Sequence, residues 1–501
     1  MKKLGLLVSI IVLVVAAFFA GTTPNAVARR ARGTPTPSPT PVPLPTATPE
    51  PPNVAIPRLQ ARIRANPNDQ DAMTELAGEY LAINRPDLTL ALTHKLLQDG
   101  DKTAQVYFID SYAQQAEGQI AIAIADLEQA STLDPTNVEV LGNLASLYLA
   151  VNQPSDAERV ANRAVTFNKT NPEAYITLGT VYAAESHYDD ARIQFEKAFA
   201  LDKTSARPLY SIAQTYLAQN NIPMALSSIN RALAVDPTSV EALTFKADLY
   251  ARQHNDVLAA ESYDDAAVAA ATDEQKVAIE VQKAQFFSSE HKDAQALTVY
   301  QKLLAQYPSV ALTYVAYGAY LASERHQMDQ AVAQWRKALS IDPDNTDALR
   351  DLGQYELQQH HPKDAVVYLK HLINVGPSAE SYALLAEAYN ALHQYALQRE
   401  ACKNSFEIRR SPETLGCIGG ADFEMHNYRE AGQVFEALDT YAKGFLDRNP
   451  TLLYVAAQTY ARLHQRSKAI DAYERLLAVT PRGSVVYRKL QKAIADLNRG
   501  R

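Results

Sequence analysis

The chain has 501 residues, of which 47% are hydrophobic and 21% charged, and a formal net charge of −8. Residues 1–57 carry five basic groups and one acid, so the remainder holds about −12, and no basic stripe offsets it. That balance argues against nucleic acid as a partner, while the length and hydrophobic content suffice for a large packed body.

The first segment carries an address. Lys2 and Lys3 precede an uncharged apolar run from Leu4 to Ala20, and Ala26-Val27-Ala28 supplies the small residues that a signal peptidase accepts. Residues 1–28 are therefore predicted to be a signal peptide or an N-terminal membrane anchor. The apolar run is short for a bilayer span, and Arg29, Arg30 and Arg32 oppose the usual charge bias, so cleavage and retention both stay open. Either outcome predicts an extracytoplasmic protein, in the periplasm or at the cell surface. Residues 29–57 follow as a disordered linker rich in proline and threonine. Each proline fixes φ and removes a donor, so such a tract stays extended, at ~3.1 Å per residue.

From there a 34-residue echo takes over. Asp101, Pro135, Lys169, Lys203, Pro237 and Ala271 fall one period apart, and the residues between them repeat one order of large and small side chains. Tyr175, Leu178, Gly179, Tyr182, Ala191, Phe195 and Ala198 become Leu209, Ile212, Ala213, Tyr216, Ala225, Ile229 and Ala232 one period later. Within each half the apolar residues recur at three and four, which is helical spacing, and small residues let two antiparallel helices approach. Asp-Pro pairs at 134–135, 236–237 and 342–343 end the second helix of a copy, and Asn171, Pro172 and Glu173 open the next with an N-cap, a first-turn proline and an acid. A period of this length marks a solenoid.

The pattern of an aromatic or Leu, Leu-Gly or Leu-Ala, Tyr, then Ala, Phe, Ala and finally Pro resembles the tetratricopeptide repeat (TPR) family. The resemblance implies an all-α, right-handed α-solenoid of about twelve helix-turn-helix hairpins over residues 58–483. The register slips by three residues near Ala270 to Asp273 and by one near His326 and Gln327, and a degenerate copy spans about 412 to 449. Residues 484–501 are expected to form a C-terminal capping helix. In the degenerate copy, Gly416, Gly419 and Gly420 lower helix propensity by ~1 kcal/mol each, which reads either as a flexing point or as tight packing.

The family binds partners chiefly along the concave surface lined by the first helix of each repeat. Here Glu139 and Glu173 stand where a carboxylate clamp would need cations, and Asn143 is the single rung of an asparagine ladder that Thr177, Ser211 and Phe245 interrupt. A neutral, partly aromatic groove is expected instead, with Asn143, Tyr210, Gln214, Thr244, Asp248, Arg350, Gln354 and Tyr454 as candidate partner-binding residues for a peptide or a partner helix. Cys402 and Cys417 fall on neighbouring helices, as a disulfide or as two buried thiols.

No phosphate loop, nucleophile elbow or zinc-protease spacing is present, so no catalytic residue, metal ligand or cofactor is assigned. The eleven histidines read as scattered, and the cluster of His360, His361 and His371 as a solvated turn without an acidic partner at ligand spacing. The expected function is a non-enzymatic protein-interaction scaffold outside the cytoplasmic membrane, binding proteins or peptides, with the membrane engaged through the N-terminal segment if uncleaved and no small-molecule substrate. An assembly or chaperone factor for a pilus, outer-membrane or secretion complex is one alternative. A regulatory subunit of an envelope hydrolase or polysaccharide synthase is another.

Overall fold

Consecutive amphipathic segments fold into antiparallel pairs in a computed structural model that describes residues 50–499. Among the described residues there are 26 α-helices and no strand. The signal or anchor segment and the linker up to residue 49 lie outside the described residues.

Two compact units divide the chain after Asn220. The first begins with the helix Pro52–Ala65 and continues through four hairpins, from Gln70–Ala82 with Pro86–Gln98 to Pro172–Ala184 with Tyr188–Leu201, before ending on Arg207–Ala218. The second begins with Ile222–Val235, runs through seven hairpins from Val240–Arg252 with Asp256–Ala269 to Pro450–Arg462 with Arg466–Val479, and closes with Val485–Asn498. In sequence, Arg207–Ala218 and Ile222–Val235 are the halves of one further copy, which brings the repeats to the expected twelve.

Two boundaries differ from the sequence reading in an instructive way. The helix Pro52–Ala65 takes in the last six residues of the stretch expected as linker, with Pro52 at its first position and Pro57 inside it. Ala55 and Leu59 explain this, because both are buried against Ala72 and Leu76 of the first hairpin. The three-residue slip near Ala270 becomes an extra turn, since Asp273–Ser289 has 17 residues where Val240–Arg252 has 13. The slip near His326 lengthens a turn between helices.

The alternation of small and large residues is what lets the hairpins close. Ala174, Leu178, Ala191, Phe195 and Ala198 are all buried. A methyl group placed on Gly179 would lie 2.6 Å from the Phe195 ring, and the same collision recurs for Gly353 with Leu369 at 2.7 Å and Gly419 with Phe435 at 2.8 Å. The first helix of a repeat therefore carries glycine where the second helix drives a large side chain into it.

The punctuation follows from orphan backbone groups. Asn171 accepts from the Glu173 N–H at 2.9 Å, and Asn345 accepts from the Ala348 N–H at 3.1 Å. After four of the second helices an aspartate folds back on the chain: Asp134 accepts from the Thr136 N–H at 3.1 Å and Asp236 from the Thr238 N–H at 3.0 Å, and Asp202 and Asp342 do the same with the Thr204 and Asp344 N–H groups. Between the two helices of each hairpin one residue takes positive φ, and in most copies the following N–H then reaches the carbonyl five residues back, as Gln153 does to Tyr148 at 2.8 Å, whereas after His326 Gln327 reaches six back to Leu321.

Those turn residues correct the expectation that the histidines are scattered. In the first unit the positive-φ positions are Asn84, Gly118, Asn152, Ser186 and Asn220, whereas every hairpin of the second unit uses histidine: His254, His291, His326, His360, His393, His426 and His464, with φ from 51° to 63°. Asparagine and histidine are among the few side chains enriched in this region. All seven imidazoles stand at exposed positions.

Candidate functional site

The candidate partner-binding residues occupy the first helices of five repeats rather than one pocket. Asn143 lies on Val138–Ala150, Tyr210 and Gln214 on Arg207–Ala218, Thr244 and Asp248 on Val240–Arg252, Arg350 and Gln354 on Thr346–Gln358, and Tyr454 on Pro450–Arg462. Three pairs stand four residues apart and so share a helix face: Tyr210 with Gln214, Thr244 with Asp248, and Arg350 with Gln354. Asn143, Tyr210 and Gln214 belong to the first unit and the other five to the second.

Their surroundings sort them. Asn143 accepts from the Tyr112 hydroxyl at 3.1 Å and donates to the Glu139 carbonyl at 2.9 Å, so both its polar atoms are engaged within the fold. Asp248 accepts from the Tyr263 hydroxyl at 2.6 Å, and burial holds its carboxyl above the usual carboxylate range. Arg350 pairs with Asp347 at 2.7 Å and with Asp351 at 3.4 Å. Tyr454 packs edge-on to Tyr473, their ring centres 6.1 Å apart, yet remains 43% exposed. Gln354 is exposed, and Gln214 and Thr244 are half-buried. Asn143 and Asp248 thus serve the fold first, whereas Gln354 and Tyr454 present more of themselves to solvent.

Cys402 and Cys417 are joined across the helices Tyr395–Ile408 and Pro412–Glu424, with Cα atoms 6.1 Å apart. Cys402 is buried, and Gln398 lies 3.5 Å from the Cys417 sulfur. Most of the repeat tyrosines pack between helices. Tyr148, Tyr263, Tyr300, Tyr389 and Tyr460 are at most 5% exposed, which leaves them unsuited as ligand platforms.

The reading of His360, His361 and His371 as a turn without acidic partners is corrected by the structure. His371 Nε2 lies 2.7 Å from Asp344, and His361 Nδ1 lies 3.1 Å from Glu356. Glu356, His361 and Asp364 place one ligand atom each within 4.8 Å of one another. The spacing escaped the sequence reading because Glu356 sits on one helix and Asp364 on the next, with the turn folding them together. A scan aligned on the turn residue, rather than on the proline, would have found both this group and the histidine column.

Comparisons with known proteins agree with the geometry. Family models described as tetratricopeptide repeat match residues 114–181, 172–205 and 210–274. Among solved structures, the chain is similar to YrrB, described as a TPR protein with an unusual peptide-binding site, at 24% identity over 37% of this chain and 95% of that one, with a TM-score of 0.30. It is also similar to a thermophilic TPR protein of Thermus thermophilus, at 19% identity over 36% of this chain and 98% of that one, with a TM-score of 0.32. A third likeness is to pilF of Pseudomonas aeruginosa, at 17% identity over 42% of this chain and 94% of that one, with a TM-score of 0.31. At such identities and scores these likenesses say nothing about partner or location. The matched models, the in-register repeats and the helix hairpins together make this chain a member of the tetratricopeptide repeat family.

Proposed function

We propose that the chain is a non-enzymatic scaffold acting outside the cytoplasmic membrane, where it takes an extended peptide or a partner helix along its first helices. The observation that carries this reading is the spread of part-exposed, uncharged side chains over separate first helices of the second unit: Thr244, Gln354 and Tyr454 offer hydrogen bonds and one aromatic face on different repeats. Such a distribution suits a long partner that makes one contact per repeat, and suits poorly a small molecule that needs converging groups. The location rests on Lys2, Lys3, the apolar run and Ala26-Val27-Ala28, and a disulfide between Cys402 and Cys417 is at home in an oxidising compartment. No helix among the described residues is long and apolar enough to cross a membrane.

Crosslinking in intact cells followed by recovery of the chain tests the reading. The wild type is expected to bring down a defined protein partner, and Thr244→Ala and the pair Gln354→Ala with Tyr454→Ala to lose it while melting normally. Equal recovery by all forms would remove these faces from the interaction. An array that survives protease added outside spheroplasts would remove the proposed location.

A further inference from the structure

We propose that Glu356, His361 and Asp364 form a binding site for one zinc-class divalent metal ion at the turn between Thr346–Gln358 and Pro362–Val375. The three ligand atoms lie within 4.8 Å of one another. Two ligands of a zinc ion bonded at ~2.0 to 2.2 Å sit about 3.5 Å apart, so closure asks for roughly 1 Å of movement. His361 and Asp364 are exposed and can supply it by changing rotamer. The set of one imidazole and two carboxylates suits zinc, with water completing the coordination.

The turn that carries the group is already fixed by backbone bonds. The His361 N–H donates to the Glu356 carbonyl at 2.8 Å, and the His361 carbonyl accepts from the Asp364 and Ala365 N–H groups, both at 3.1 Å. Main-chain order of this kind lowers the entropy cost of gathering ligands.

Among the copies that share this turn bond, the pairing of a carboxylate at the Glu356 position with a histidine at the His361 position occurs in this copy alone. Nine other copies make the same backbone bond at this turn, and the residue at the Glu356 position is tyrosine in six of them, Tyr80, Tyr148, Tyr182, Tyr250, Tyr389 and Tyr460, and Gln114, Phe287 and Asp422 in the other three. Packing favours tyrosine there, yet two copies bury a carboxylate: Asp422, which Arg399 meets at 2.6 Å and which Asn427 follows at the turn, and Glu356, whose side chain is 7% exposed and which His361 follows. Burying a carboxylate is costly unless something opposite in charge or rich in donors meets it. Arg336, 3.4 Å from Oε1, is itself 58% exposed, which leaves Oε2 and the His361 imidazole facing each other at 3.1 Å. A bound cation would take the place of the hydrogen bond between them, while Arg336 stays on the far oxygen as an outer partner.

The test is calorimetric titration of the chelator-stripped full chain with zinc chloride, paired with visible absorption of the cobalt-loaded protein. One ion per chain is expected above the weak background of the turn histidines. His361→Ala and Asp364→Asn should each weaken it about tenfold or more and abolish the cobalt bands, as should Glu356→Gln, whereas His464→Gln should leave both unchanged. His361 and Asp364 are exposed, so their variants decide the matter even if Glu356→Gln disturbs the fold. Zinc binding of the same affinity and stoichiometry in His361→Ala and Asp364→Asn as in the wild type, or none in the wild type, overturns the proposal.

Discussion

Arg207 donates through Nη1 to Glu173 Oε2 at 2.7 Å, tying together residues 34 positions apart on the first turns of successive first helices. The two ends of this pair are not equivalent. Glu173 sits at the positive end of its own helix, which favours it with or without a partner, whereas Arg207 sits at the same end of the next helix and is disfavoured there. Both side chains are about half exposed, at 50% and 51%. Glu173→Gln is therefore expected to cost ~0.5 to 1 kcal/mol and Arg207→Gln less than about 0.5 kcal/mol. Thermal melts at low salt check the order of the two, and a larger cost for Arg207→Gln would show that the pair, and not the helix end, sets the energy.

Two adjacent glycines of the degenerate copy are expected to respond in opposite directions. A methyl on Gly419 would meet the buried Phe435 ring at 2.8 Å, whereas one on Gly420 meets nothing within 4 Å. Gly419→Ala should destabilise by ~1 to 2 kcal/mol, overpacking outweighing the gain in helix propensity, and Gly420→Ala should stabilise by ~0.5 to 1 kcal/mol. Gly416 stands with Gly419, because a methyl there would lie 2.5 Å from Leu452. Close packing thus accounts for two of the three glycines that the sequence offered as a flexing point. Denaturation midpoints of the two variants measure the contrast.

The period, the number of copies and the small-to-large alternation were legible because each is a local demand: two helices approach only if glycine or alanine faces Phe195, Leu369 or Phe435. The turn histidines were not legible in a fixed 34-residue frame. They stand 37, 35, 34, 33, 33 and 38 residues apart, since insertions fall on either side of them. The group at Glu356 escaped for a related reason, as its three members join only when the turn folds. The first-helix candidates were placed on the right elements, but periodicity does not reveal a bond such as Tyr263 to Asp248, which commits a nominally free carboxylate to the fold.

Asp126 offers a pH test within the first unit. It is 9% exposed and lies beside Asp110, which accepts hydrogen bonds from Thr93 and, at 3.2 Å, from Gln114. Burial, then the neighbouring Asp110 carboxylate, pushes Asp126 from 3.8 up to about 7. The folded state thus favours the neutral acid. Its contribution is fully present below pH 3.8, declines as pH rises, and is gone above about 7. An amide at this position cannot ionise, so Asp126→Asn should gain stability over the wild type across that window and hold a gain on the order of 2 kcal/mol at pH 8. Paired melts at pH 4 and pH 8 check the sign, and an equal difference at both would mean that the carboxyl does not titrate there.

The column of turn histidines makes its own demand on the backbone, separable from any role of the imidazoles. His464 has φ of 57°, in the left-handed region, and the Gln465 N–H that follows reaches the Tyr460 carbonyl at 2.9 Å. Glycine adopts that conformation freely, whereas a β-branched residue does so at a cost of roughly 1 to 2 kcal/mol. His464→Gly should therefore leave stability within about 0.5 kcal/mol of the wild type, and His464→Val should lower it by ~1 to 2 kcal/mol. If both variants lose the same amount, the imidazole and not the backbone angle is what the turn requires. The first unit already contains the natural control: Asn84, Gly118 and Asn152 hold the same turn without an imidazole. The geometry of a TPR turn is thus satisfied by several side chains, and replacing His254 and His291 by asparagine should preserve the melt while removing two of the seven imidazoles that line the turns of the second unit.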